Sequence, residues 1–90
     1  SVEYAFRAID RVTVKGKSEM VSVFEIFEAD PPELRRGKLA TKSTFEQGLW
    51  RYHQSFFQEA VEWFQNCLEI NPSDRAAQIY LERCQEKCQI

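Results

Sequence analysis

The sequence predicts an α+β chain, mostly α, in which an N-terminal β-hairpin precedes a helical hairpin and a third, capping helix. Three observations predict it. Residues 2–28 hold β-branched and aromatic side chains with period 2, on either side of a glycine-centred turn. Residues 45–72 hold apolar side chains at helical spacing. Asn71-Pro72-Ser73-Asp74 then breaks the pattern before a third periodic stretch over 75–88.

In the first segment, Val12-Thr13-Val14 and Val21 to Phe27 alternate as strands do, and Lys15-Gly16-Lys17-Ser18-Glu19 lies between them. Two antiparallel strands are expected, roughly 5–15 and 20–28. Val21, Val23 and Glu25 fall on one face, and Ser22, Phe24 and Ile26 on the other. Apolar side chains thus occur on both faces, the pattern of a sheet covered on both sides. A lone two-stranded hairpin is marginal in water. This one is expected to fold onto the helices, pair with another copy or be disordered.

Asp30 is placed as an N-cap, with Pro31 at the first helical position and Glu33 three residues after the cap. A second start signal comes at Ser43, with Glu46 three residues later. Either a linker precedes a helix from Ser43, or one helix spans about 31–53; the single long helix is preferred. Phe45, Leu49 and Tyr52 share its inner face. Gln54-Ser55 interrupts, and Phe57, Ala60, Val61, Phe64, Cys67 and Leu68 mark the buried stripe of a helix over 57–70. Asp74 or Ser73 caps the third helix, whose inner face carries Ala77, Tyr80, Leu81, Cys84 and Cys88.

The 90 residues suit one small domain, or two pieces of something larger. A net charge of −2 with both signs interspersed argues against nucleic-acid binding. No run of 18 apolar residues exists for a membrane span, and the N-terminus lacks a signal-peptide pattern. An odd cysteine count, three, fits free thiols in a cytoplasmic setting. Cys84 and Cys88 stand at i and i+4, with Cys67 and His53 elsewhere. Core packing explains them, and no metal site is assigned. His53, the sole histidine, reads as a surface residue at a helix end rather than a base.

The spacing Gly48, Ala60, Phe64, Pro72 resembles the tetratricopeptide repeat over about 42–75. Small residues at Gly48 and Ala60 allow close helix approach, and Phe64 fills the gap toward the next helix. Two positions depart: Arg51 stands where a tyrosine is expected, with Tyr52 one later, and Ser55 occupies a turn position that is often glycine. One and a half repeats form a short cap rather than a long peptide groove. A folding or docking appendage, a peptide-binding site and a dimerisation element all stay open for it.

The string from Phe6 to Ile26, with Arg7, Asp10 and Val14-Lys15-Gly16-Lys17, resembles the closing hairpin of the class III adenylyl/guanylyl cyclase catalytic domain. With a tetratricopeptide-like tail behind it, the whole resembles the C-terminal end of bacterial members. Residues 1–29 would then be an incomplete catalytic-domain hairpin, 30–42 a linker with helical potential, and 43–90 the helical tail. The resemblance implies a parent that converts ATP to cyclic AMP and pyrophosphate for signal transduction, as a homodimer with Mg²⁺ or Mn²⁺. It places Lys15 at the nucleotide's phosphates, where a compact positive charge steadies the polyphosphate during attack. Lys17 receives no role. The metal-binding aspartates and purine-reading residues of the family are absent, so the 90 residues alone are expected to be inactive and to hold no cofactor. ATP versus GTP preference is not encoded here. The expected partners are the rest of a catalytic domain and a protein docked on the helices. The alternative is a stand-alone tetratricopeptide-like interaction module with no catalytic role.

Overall fold

A computed structural model describes residues 4–89. The outermost parts of the expected hairpin and tail units, residues 1–3 and 90, lie outside the described residues. Two strands come first, β1 (Phe6–Thr13) and β2 (Met20–Ile26). Three helices follow, α1 (Pro32–His53), α2 (Phe57–Ile70) and α3 (Arg75–Cys88). The α+β, mostly helical composition is as the sequence predicts.

The strands pair antiparallel, from Phe6 opposite Ile26 to Thr13 opposite Met20, and are shorter than the expected 5–15 and 20–28. Between Ala8 and Asp10 the register slips, leaving Ile9 without a partner on β2. This bulge gives β1 three consecutive half-buried residues in place of alternation, and Ala8 and Ile9 both pack against the helical core. Beyond it the arm leaves the body. Positions 11–24 are exposed, among them Val21, Val23 and Phe24. The two-sided cover that the apolar pattern calls for is not supplied by the described residues.

A single helix runs from Pro32 through Ser43 to His53, so Ser43 starts nothing. Its N-terminus lies one residue later than expected. Pro31 is the N-cap, with φ −51° and ψ 145°, and no side chain caps the helix. The cause is Pro32: a residue that precedes proline is driven out of the helical region, so Pro31 stays extended. Asp30, freed from capping, accepts a hydrogen bond from Lys38 Nζ at 2.7 Å.

The core is built by the three helices, with α2 packed between α1 and α3. Phe45, Leu49, Ala60, Phe64, Cys67, Ala77, Tyr80 and Cys84 form it. Phe64 meets Phe45 edge-on at 5.4 Å and stacks on Tyr80 at 5.5 Å, bridging all three helices. A Cβ on Gly48 would sit 3.0 Å from the Phe64 ring and 3.1 Å from Trp63 Cβ, so the small residue sets how closely α1 and α2 approach. Between them Ser55 takes φ +68°, the left-handed region that glycine occupies more readily. Asp74 caps α3, its Oδ1 accepting the Ala77 N–H at 3.3 Å.

Candidate functional site

The residue that the sequence singles out for chemistry, Lys15, stands at the tip of the hairpin. Val14 accepts a hydrogen bond from Lys17 N at 3.0 Å, closing a four-residue turn with Gly16 at its third position. Gly16 has φ +83°, the conformation such a turn demands there. Lys15 is exposed, and no hydrogen bond or ion pair to another described residue engages its side chain. Its charge projects from the end of a narrow arm, available to whatever lies against the tip.

The hairpin's base is different in kind. Arg7 is fully buried. Its two terminal nitrogens donate to Asp74 Oδ2 and Oδ1 at 2.6 and 2.8 Å, and Nε donates to Glu25 Oε1 at 2.8 Å. The guanidinium also lies 4.3 Å from the centroid of the Phe45 ring. Burial opposes the charge, but the hydrogen bonds and charges of Asp74 and Glu25 outweigh it, and the pKa stays above the ordinary arginine range. The chain of charges continues. Glu25 Oε2 accepts from Lys38 Nζ at 3.0 Å, and Lys38 reaches Asp30 as well. Lys38 is likewise held above its ordinary pKa, since Asp30 and Glu25 together overcome its desolvation. Five side chains of alternating sign, Asp74, Arg7, Glu25, Lys38 and Asp30, thus tie both strands to α1 and to the start of α3.

Backbone groups at the bulge complete the attachment. The Ala8 N–H donates to Glu46 Oε2 at 2.7 Å. The Ile9 carbonyl accepts from the Tyr80 hydroxyl at 2.7 Å. Burial, followed by the nearby Asp10 charge, pushes the Tyr80 phenol well above its usual pKa.

Arg7 and Asp10, adjacent parts of one motif in the sequence, do not meet. Arg7 turns to Asp74 and Glu25, while Asp10 Oδ1 lies 3.3 Å from His53 Nε2. That distance suits an ion pair, but the angles leave Nε2 without a hydrogen bond; Asp10 Oδ1 takes the Arg11 N–H at 2.8 Å. His53 is therefore not the surface residue expected. It is half-buried against β1, and burial lowers its pKa below 6.5. Cys67 and Cys84 are packed in the core, and burial raises their thiols to about 12 and about 11. Among the described residues no group of three or more His, Cys, Asp or Glu is placed to hold a metal ion. No described helix is long and apolar enough to cross a membrane.

Asp74, Glu25, Lys38 and Glu46 were not marked as partners of the hairpin by sequence reasoning. A faint signal existed for one of them, Glu25. Arg7 and Glu25 are the charged positions paired directly across the two strands, at Arg7 opposite Glu25. Asp74 carried a competing and correct reading as a helix cap, which hid its second role.

No protein-family model matches the chain. No solved structure matches it either. A curated relative does: an adenylate cyclase of Dictyostelium discoideum, described as terminal-differentiation specific, is 37% identical over 82 residues. The aligned stretch takes in 91% of this chain and only 4% of that protein. A stretch of that length cannot fit within the helices alone, so hairpin and helices are matched together. The chain is thus related to a short segment of a much longer cyclase.

Proposed function

We propose that the chain is a segment of a class III nucleotidyl cyclase, comprising the closing hairpin of the catalytic domain and the helical unit behind it. The parent would convert ATP to cyclic AMP and pyrophosphate as a homodimer, with Mg²⁺ or Mn²⁺ bound by residues outside this segment. Lys15 would contact the polyphosphate and steady the charge that develops as the ribose 3′-oxygen attacks the α-phosphate. The helical unit, read as tetratricopeptide-like, would brace the hairpin. The bacterial setting rests on the motif string in combination with the tetratricopeptide-like reading of the tail.

The observation that carries this reading is the continuous match of hairpin and helices to a segment of an adenylate cyclase. Two features of the chain agree with it. The hairpin exposes Phe24 and Ile26, at 54% and 81%, as a piece of a larger sheet would. Lys15 is unengaged at the tip. A stand-alone interaction module accounts for the exposed apolar side chains but not for the match to a cyclase segment.

The test is cyclic AMP formation by a longer protein that joins this segment to the upstream catalytic residues. Lys15→Ala should lower the rate by about 10²-fold, the size of one lost electrostatic contact, and Lys17→Ala should change it little. A Lys15→Ala rate equal to wild type overturns the assignment.

A further inference from the structure

The polar ties between hairpin and helices gather in a short zone at its base. Arg7 holds Asp74, the Ala8 amide holds Glu46, the Ile9 carbonyl holds Tyr80, and Glu25 holds Lys38. Among the described residues, positions 11–24 have no hydrogen bond or ion pair to any helix. The hairpin is an arm clamped at one end. From Arg7 to Lys15 it spans about 26 Å at roughly 3.3 Å per residue. A tilt of about 10° at the clamp displaces the tip by about 4–5 Å over that length.

We infer that Asp74 is a positioning residue, which through Arg7 sets the angle of the arm on the helical unit and so the place of Lys15. The arm's angle stands on the geometry alone; the consequence for Lys15 rests on the proposed function. Three features make Asp74 suited to the task. Its carboxylate grips the planar guanidinium with two parallel bonds, which fix direction as well as distance. Asp74 is itself immobilised, fully buried and bonded to the Ala77 amide as the cap of α3. Arg7, in turn, touches β2 through Glu25 and α1 through Phe45, so one guanidinium registers both strands against two helices. Arginine suits this and lysine does not, because an ammonium lacks the fork that resists rotation. By linkage, a force that moves the tip must also strain the start of α3.

The cap and the clamp can be separated. Asp74→Asn still caps α3, since asparagine serves as well as aspartate there, and leaves Arg7 paired with Glu25. Arg7→Lys keeps the charge and loses the fork. Spin labels at Lys17→Cys and Glu82→Cys, in a Cys88→Ser background of the 90-residue chain, report the distance from tip to α3. Both variants should broaden or shift that distance by several ångströms, with far-UV circular dichroism unchanged and α3 amides losing no more protection than those of α1 and α2. Distances as narrow as wild type in both variants overturn the inference. So does broadening that appears only with selective loss of α3 protection, which would mark Asp74 as a cap and nothing more.

The longer, active protein supplies the second arm. Asp74→Asn should lower kcat about 10-fold or more with little change in KM for ATP, while Glu82→Gln leaves both unchanged. A moved arm with wild-type kcat overturns the link to Lys15. A longer protein that makes no cyclic nucleotide overturns the proposed function and leaves the positioning result standing.

Discussion

Arg7 and Asp74 meet through two hydrogen bonds, of 2.6 and 2.8 Å, with both side chains closed to solvent and 67 residues apart in the chain. The pair joins the first strand to the start of the last helix. Its value to stability is asymmetric: the intact pair returns little net energy, but losing one partner strands the other charge in the interior. Arg7→Met should therefore cost about 3–5 kcal/mol, read from urea unfolding. Adding Asp74→Asn should recover part of that loss, since the two changes act on one contact. An unfolding midpoint within error of wild type for Arg7→Met would show that the clamp does not hold the fold.

Phe64 sits at the junction of three helices with no exposed surface. Phe64→Ala removes its contacts with Phe45 and Tyr80 and should cost about 3–5 kcal/mol, comparable to the whole stability of so small a domain. Gly48→Ala tests the same junction from the other side. A helical alanine gains about 1 kcal/mol in propensity, but the new Cβ meets the Phe64 ring at 3.0 Å. Overpacking of about 1–3 kcal/mol should win, and the melting temperature should fall. A rise on Gly48→Ala would mean that the α1–α2 spacing is looser than described.

Ser55 holds a left-handed backbone at φ +68° between α1 and α2. That conformation costs an L-residue about 1–2 kcal/mol, against about 0.5–1 kcal/mol of extra chain entropy for glycine. Ser55→Gly should stabilise the chain by about 0.5–1 kcal/mol on that difference. Calorimetry decides it, and a lower melting temperature would point to a role for the hydroxyl.

His53 gives the fold an acid sensitivity. Burial lowers its folded-state pKa below 6.5, with Asp10 opposing that shift and Arg11 reinforcing it. The sign follows from proton counting: below the unfolded value the unfolded chain binds a proton that the folded chain does not. The stability contribution is complete above about pH 6.5 and is lost as pH falls toward the folded pKa. His53→Gln should flatten the dependence of unfolding free energy on pH just below about 6.5, the ordinary histidine value. An unchanged slope would assign the acid sensitivity to the carboxylates instead.

Much of the fold was legible in the sequence. Helical periodicity marks the inner faces of α1, α2 and α3, because each apolar stripe must turn inward whatever its partner. Gly48 and Asp74 declare their local tasks by size and capping chemistry, whereas the left-handed turn at Ser55 carries no glycine to announce it. The string around Lys15 marked the tip. The start of α1 was missed by one residue because the effect of Pro32 on Pro31 outweighed the capping signal of Asp30.

The attachment of the hairpin was decided only in three dimensions. Arg7 finds Asp74, Ile9 finds Tyr80 and Ala8 finds Glu46 across loops that leave no periodic trace. A polar side chain in a strand looks the same whether it faces water or a buried carboxylate. What the sequence determined by itself is the set of amphipathic elements and their turns, since these follow from local geometry and the cost of exposing apolar surface. What tertiary structure decided is which charges are enclosed and which apolar face of the arm stays open. Burial depends on what packs against a residue, and for Arg7 the packing partner arrives at the far end of the chain.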